Sequence, residues 1–287
     1  MADLDLRPLS LGEILDRTFS LYRNHFALFV GITAIPQLLV LAFNLLGGNM
    51  PGGTPKPIGG PMEAATLPPF PTATAIIVFI LGILIYLVVY LYAQGGTFFA
   101  VSEIYLGRTA TIGASLSRMR GHVLKLLGVT ILNGLVVGAA TILLIFPGIY
   151  MACRLLTCVP AALFEDLGAG DSLTRSYELT RDEAGRAFVI LLLYFVLSIT
   201  ASMLVVVPFQ VMAGLSLKDA GMTHLWISLM HVGSFLARVL VAPYLTIATS
   251  IFYFDLRVRK EAFDLQLMLN ASGQPLPGAS GIAPSIS

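Results

Sequence analysis

From residue 73 to residue 94 the chain runs for 22 residues without a single charged side chain. A bilayer core takes about 20 apolar helical residues to cross, and no soluble helix needs such a run. Five further apolar segments lie near 26–46, 126–146, 149–164, 187–212 and 235–254, all but 149–164 long enough to cross. Composition agrees. The chain is 56% hydrophobic and 11% charged, against about 25% charged for a soluble domain. In lipid every backbone group needs an internal partner, so segments of this length become helices. The sequence thus predicts an all-α, polytopic membrane bundle of about six transmembrane helices, forming a single membrane domain over 1–269.

One segment leaves its path open. The 149–164 run is short and contains Arg154. It either spans, with local thinning of the bilayer, or makes a re-entrant hairpin with its predecessor through Pro147-Gly148. Both paths return the chain to the same side.

Orientation follows from basic residues. With both termini together, their side carries Arg7, Arg17, Arg23, Arg108, Arg118, Arg120, Lys125, Arg175, Arg181, Arg186, Arg257, Arg259 and Lys260, and the other side Lys56 and Lys218. Both termini are therefore expected in the cytoplasm. All acids except Glu63 and Asp219 share that side. The face is charge-mixed, which does not favour a polybasic lipid sheet. A net charge of +1 gives no case for nucleic acid. Residues 47–71, rich in Gly and Pro, read as a flexible outer loop, and 270–287 as a disordered cytoplasmic tail. Near Trp226 the sequence permits a short outer helix started by Ser216 or Asp219, or a plain interfacial loop. The acidic N-terminus lacks a signal-peptide pattern. Cys153 and Cys158, five apart in one run, point in different directions on a helix and read as packing residues.

A phrase recurs before the hairpins: Gly12-Glu-Ile-Leu-Asp-Arg17, Gly113-Ala-Ser-Leu-Ser-Arg118 and Gly170-Asp-Ser-Leu-Thr-Arg175. After Ser10, Leu11, Ile14, Leu15, Thr18, Phe19 and Tyr22 fall on one helix face, and Ser10 with Glu13 makes a capping box. This predicts an amphipathic interfacial helix over 10–24. Thr111 and Gly168 occupy the equivalent caps in the other copies. The predicted unit is an interfacial helix plus a membrane hairpin, repeated three times. Gly233-Ser-Phe-Leu-Ala-Arg238 fits the same frame but lies near the outer end of the sixth segment, so it is no fourth copy and position carries the pattern more than the letters do. Glu103, Glu165 and Asp255 each end a hairpin, where a carboxylate opposes the helix dipole and calls for a cation. Arg17, Arg118 and Arg175 are the candidate ion-pair partners, in an order the sequence does not assign.

Three stretches resemble a known bacterial family. These are Arg7-Pro-Leu-Ser-Leu-Gly-Glu-Ile-Leu-Asp-Arg17, Ser172-Leu-Thr-Arg-Ser-Tyr-Glu-Leu-Thr-Arg181 and Phe252-Tyr-Phe-Asp-Leu-Arg-Val-Arg-Lys-Glu-Ala-Phe-Asp264. They are similar to the integral membrane domain of membrane-bound glycerophosphoryl diester phosphodiesterases and its stand-alone relatives. The resemblance implies a multi-pass protein of the bacterial plasma (inner) membrane. It carries no catalytic motif, because hydrolysis in two-part relatives belongs to a separate soluble barrel. Such a barrel takes about 250 residues, and no stretch here offers them.

No catalytic constellation emerges. His25, His122, His224 and His231 are scattered, no phosphate loop or nucleophile elbow occurs, and Asp182-Glu183 reads as solvated loop charge. No cofactor is expected. Arg154 is the candidate intramembrane polar site. It holds an anionic group or lines a solute path, or else it bonds carbonyls at a helix break. Arg238 reads as closer to the outer surface, snorkelling. Gln37, Asn44 and Asn133 suit helix–helix bonding, Gly134-x-x-x-Gly138 suits close helix approach, and Pro36, Pro208 and Pro243 suit kinks. The leading expectation is a non-catalytic scaffold, anchor or regulatory module linked to lipid or envelope processes. Its partners would be the lipid bilayer, a protein docked at the cytoplasmic face and a bound lipid. The alternative is a small permease or lipid-handling transporter using Arg154, and a membrane enzyme comes last. A filled bundle with an exposed apolar flank or cytoplasmic groove favours the scaffold, and a polar or lipid-sized cavity reaching Arg154 favours the transporter or lipid binder.

Overall fold

The computed structural model describes residues 8–47, 73–216 and 219–261. The predicted outer loop from residue 48 onward, the tail, Lys56 and Lys218 lie outside them. The described residues contain ten helices and no strand. They are α1 (Leu11–Asn24), α2 (Phe26–Gly47), α3 (Ala73–Tyr105), α4 (Ile112–Ser117), α5 (Val123–Leu143), α6 (Ile145–Arg154), α7 (Cys158–Phe164), α8 (Ala169–Leu179), α9 (Ala184–Leu215) and α10 (Ala220–Glu261). Six helical stretches are long and apolar enough to cross a membrane, with α6 and α7 together forming one of them. The architecture is an all-α polytopic bundle.

The recurring phrase opens α1, α4 and α8, and each of these short helices precedes an antiparallel pair. Local chemistry starts them. Ser10 Oγ accepts from the Glu13 N–H at 3.3 Å while Glu13 Oε2 accepts from the Ser10 N–H at 2.6 Å. Thr111 Oγ1 accepts from the Ala114 N–H at 3.3 Å. Gly168 takes the extended N-cap conformation of α8. The fourth match lies within α10, where Gly233 lets α9 approach. A Cβ there would stand 2.3 Å from Val205 Cγ1.

The first short helix lies alongside its neighbour. The Leu9 backbone meets Asp255 near one end of α10, and Tyr22 Oη donates to the Leu240 carbonyl at 2.9 Å. Leu240 and Asp255 stand about 22 Å apart along α10, close to the length of α1. The two helices are therefore antiparallel neighbours, with Ile14 and Thr18 buried between them and the bundle and Phe19 exposed.

α10 is one helix of 42 residues. The Asp219 carboxylate starts it by accepting from the N–H groups of Gly221 and Met222 at 3.0 and 3.2 Å. The short outer helix and the sixth segment are continuous. Pro243 removes one N–H from this helix and so frees the Val239 carbonyl. Thr33 Oγ1 of α2 donates to that carbonyl at 3.3 Å.

The bundle has two unlike halves. Around the C-terminal ends of α3 and α10 and the N-terminal ends of α2, α5 and α9, the core is closed by Leu9, Phe29, Val101, Ile251, Phe252 and Leu256. Toward the opposite end the helices separate and expose apolar side chains, such as Ile77, Leu84, Phe195 and Leu204. Burial there would need lipid, and the apolar belt is what lipid would cover.

The 126–164 region resolves into a tight helical hairpin. Leu144, in extended conformation, is the only residue between α5 and α6. Its tip is apolar, with Ile142 and Phe146 at 89% and 85% exposure. α5 is about 31 Å long, while its return arm is broken at 155–157. Gly148 sets the approach of the two arms: a Cβ would lie 2.7 Å from Thr141 Cα. The predicted close-approach pair behaves differently, because a Cβ at Gly134 or Gly138 meets nothing within 4 Å. Gly148→Ala is expected to lower stability by about 1–3 kcal/mol through overpacking. Gly134→Ala is expected to raise it by about 0.5–1 kcal/mol, because alanine is the better helix former. Thermal melts in one detergent compare the two, and equal midpoint shifts would contradict the packing described.

Candidate functional site

Arg154 ends α6 and is 2% exposed. Its guanidinium donates from Nη1 to the Arg181 carbonyl and from Nη2 to the Tyr177 carbonyl, both at 2.7 Å. It stacks 3.7 Å from the centre of the Tyr177 ring. Its own carbonyl accepts from Ser176 Oγ at 2.9 Å and Thr180 Oγ1 at 2.8 Å. The α6–α7 break and the C-terminus of α8 both leave carbonyls without helical donors, and this one residue joins the two. Its Nε has no partner among the described residues. Arg154 thus bonds carbonyls at a helix break, the second of its two readings, and it does not line the cavity described below.

The candidate ion pairs sort unequally. Arg118 Nη1 lies 2.5 Å from Glu103 Oε1, with Arg108 3.6 Å from the same oxygen. Arg175 Nε lies 2.8 Å from Glu165 Oε2, and Arg175 also pairs with Glu261. Tyr253 Oη donates to Glu165 Oε1 at 2.6 Å. Burial pulls the Arg175 pKa down, but its two glutamate partners outweigh that and hold it above the ordinary arginine value. Asp255 accepts from the Leu9 N–H at 2.6 Å, Arg186 at 2.8 Å and Arg259 at 2.9 Å. Arg186 and Arg259 also donate to the Leu9 carbonyl. Arg17 meets none of the described carboxylates, so the structure forms two of the three anticipated arginine pairs and gives Asp255 other partners. The i,i+4 spacing of Asp255 with Arg259 was a readable signal for one of them. Arg186, 69 residues away, had none. At the surface, Lys125 bonds Asp166 at 2.6 Å and holds its carboxyl below the usual carboxylate range.

Above this charged base the separating helices line a partly open cavity of about 820 Å³. Ligand pockets typically span about 300–1,000 Å³. Its walls come from α2, α3, α5, α6, α7, α9 and α10, and they mix Phe98, Leu155 and Leu245 with Gln37, Tyr90, Gln94, Asn133 and Tyr194. Gly134 and Gly138 face it, which explains the open space beside them. The Gln94 and Asn133 side-chain oxygens are buried without a partner among the described residues. Asn133 therefore does not supply the helix-to-helix bond its position suggested. A second cavity of about 220 Å³ lies on the far side, lined by Asn44, His231 and Ser234. Gln37 and Arg238 line both cavities.

Arg238 is the functional candidate that sequence reasoning placed elsewhere. A segment beginning at 235 puts it near a helix end. The continuous α10 extends about 27 Å beyond it toward the helix start, so Arg238 does not lie at a helix end. Among the described residues it has no hydrogen-bond or ion-pair partner, and no acidic side chain lines either cavity. Among the described residues, no three His, Cys, Asp or Glu side chains group as metal ligands.

No family model matches the chain, and no curated protein and no solved structure is significantly similar to it.

Proposed function

We propose that this is a multi-pass membrane protein that binds a small molecule in its intramembrane cavity, as a carrier or lipid-handling protein. The observation that carries the reading is the cavity with uncompensated polar oxygens on Gln94 and Asn133. A buried polar group without a partner costs about 1–3 kcal/mol. A scaffold has no use for that cost and would favour a filled bundle. A bound molecule supplies the missing partners. The placement of basic residues supports a cytoplasmic charged end with both termini there, so the cavity would open toward the outer side. The resemblance of the three motifs to a phosphodiesterase-associated membrane domain supports a bacterial inner-membrane location and a lipid-linked role without catalysis.

Mass spectrometry of the protein released from native membrane patches tests this. The wild type is expected to carry a reproducible, stoichiometric small molecule. Gly134→Leu/Gly138→Leu fills open space, so it should lose that molecule while keeping or raising the thermal midpoint. Retention of the same molecule by this variant would remove the cavity from the account and return the scaffold to first place.

A further inference from the structure

We infer that Arg238 is the anion-recognition residue of this cavity, and that the ligand carries an oxyanion, phosphate or carboxylate, beside neutral hydrogen-bonding groups. The inference rests on the cavity-binding reading and names its ligand class. Among the described residues, Arg238 is the only lysine or arginine lining either cavity. Every other arginine with a candidate role in this chain except Arg17 is answered, by carboxylates or by carbonyls. Arg238 is exposed and borders both cavities, with no described acid across from it, and an unpaired guanidinium between helices attracts a counter-charge. Its planar fork suits the paired oxygens of phosphate or carboxylate.

The neighbours fit the same ligand. Gln37 stands with Arg238 at the junction of the two cavities. Gln94 and Asn133 offer free acceptor oxygens in the larger one, which suit hydroxyl or amine donors adjoining the anion. Phe98, Val137, Leu155, Val159 and Leu191 provide apolar wall for a carbon chain. The smaller cavity, with His231, Ser234 and Asn44, forms a polar anteroom toward the far end of α10. The anion has two sources with one chemistry: the headgroup of an anionic lipid, or a soluble organic anion such as a phosphate ester.

The full chain in nanodiscs, titrated by native mass spectrometry, separates them. The probes are short-chain phosphatidylglycerol, short-chain diacylglycerol, which lacks an oxyanion, glycerol 3-phosphate and inorganic phosphate. Wild type is expected to prefer phosphatidylglycerol over diacylglycerol by about tenfold or more. Arg238→Gln should abolish that preference while retaining diacylglycerol binding, and Arg238→Lys should restore part of it. Neither should lower the thermal midpoint, since the side chain has no protein partner to lose. Arg238-dependent binding of glycerol 3-phosphate or phosphate without lipid preference would support the inference with a soluble source. A wild-type preference that survives Arg238→Gln overturns it, as does the absence of any anion binding. If in the former case the paired glycine variant still loses all binding, the cavity reading stands and only the anion assignment falls.

Discussion

Asp255→Ala is expected to destabilise the protein by about 3–5 kcal/mol, among the largest losses available to a single substitution. The carboxylate is fully buried and gathers three elements at once. It accepts from the Leu9 backbone ahead of α1, from Arg186 at the start of α9, and from Arg259 one turn along α10. Removing it leaves two guanidinium groups and a backbone N–H without their shared acceptor. The Leu9 carbonyl still accepts from both arginines, so two like charges would crowd one neutral oxygen. Asp255→Asn keeps one acceptor but turns N–H donors toward the cations, so it should fall between wild type and alanine. Thermal melts measure the loss, and limited proteolysis near Leu9 should show α1 releasing from α10 before global unfolding. A midpoint within a degree or two of wild type would mean that α1 is held by its apolar face alone.

Arg154→Met is expected to cost about 3–5 kcal/mol by a different route. The two carbonyls it satisfies, those of Tyr177 and Arg181, lie at the end of α8, where no helical donor remains. Each hydrogen bond from a charged donor contributes about 1.5–3 kcal/mol. Methionine fills similar volume and supplies no donor. Lysine carries a single ammonium in place of the fork and should recover only part of the loss. Ligand preference should not change, because Arg154 lies outside the cavity wall. The two arginines thus predict opposite phenotypes: Arg154 moves stability without selectivity, and Arg238 moves selectivity without stability. A stable Arg154→Met with altered lipid preference would exchange their roles.

The contrast shows where the sequence is informative. Apolar run length located all six spans, since bilayer thickness acts on length directly. Side-chain caps located α1 and α4, because Ser10, Glu13 and Thr111 act on N–H groups within three residues, and the recurring phrase located α8, whose Gly168 makes no side-chain cap. That Glu103 and Glu165 would draw arginines was legible because each acid closes a hairpin, but which arginine each would meet was not, and the structure pairs them with Arg118 and Arg175. Asp255 with Arg186 was not, since no local rule joins residues on separate helices so far apart in the chain. Hydropathy also hid Arg238. The sixth apolar segment begins near 235, which placed a helix end there, whereas helix continuity depends on backbone bonding and α10 runs on through the more polar stretch before it. The glycine pair 134/138 misled for a related reason. Small residues permit either a helix contact or a cavity wall, and only the position of α6 against Gly148 distinguishes them.

We propose that the cavity beside Gly134 opens toward the outer side. A cysteine placed there tests it most directly. In a Cys153→Ala/Cys158→Ala background, Gly134→Cys in intact cells should react with a charged, membrane-impermeant thiol reagent added outside. Leu84→Cys, on the apolar belt, should not react. Failure of Gly134→Cys to react from outside, while it reacts in inverted vesicles or from neither face, would contradict an outward-open cavity.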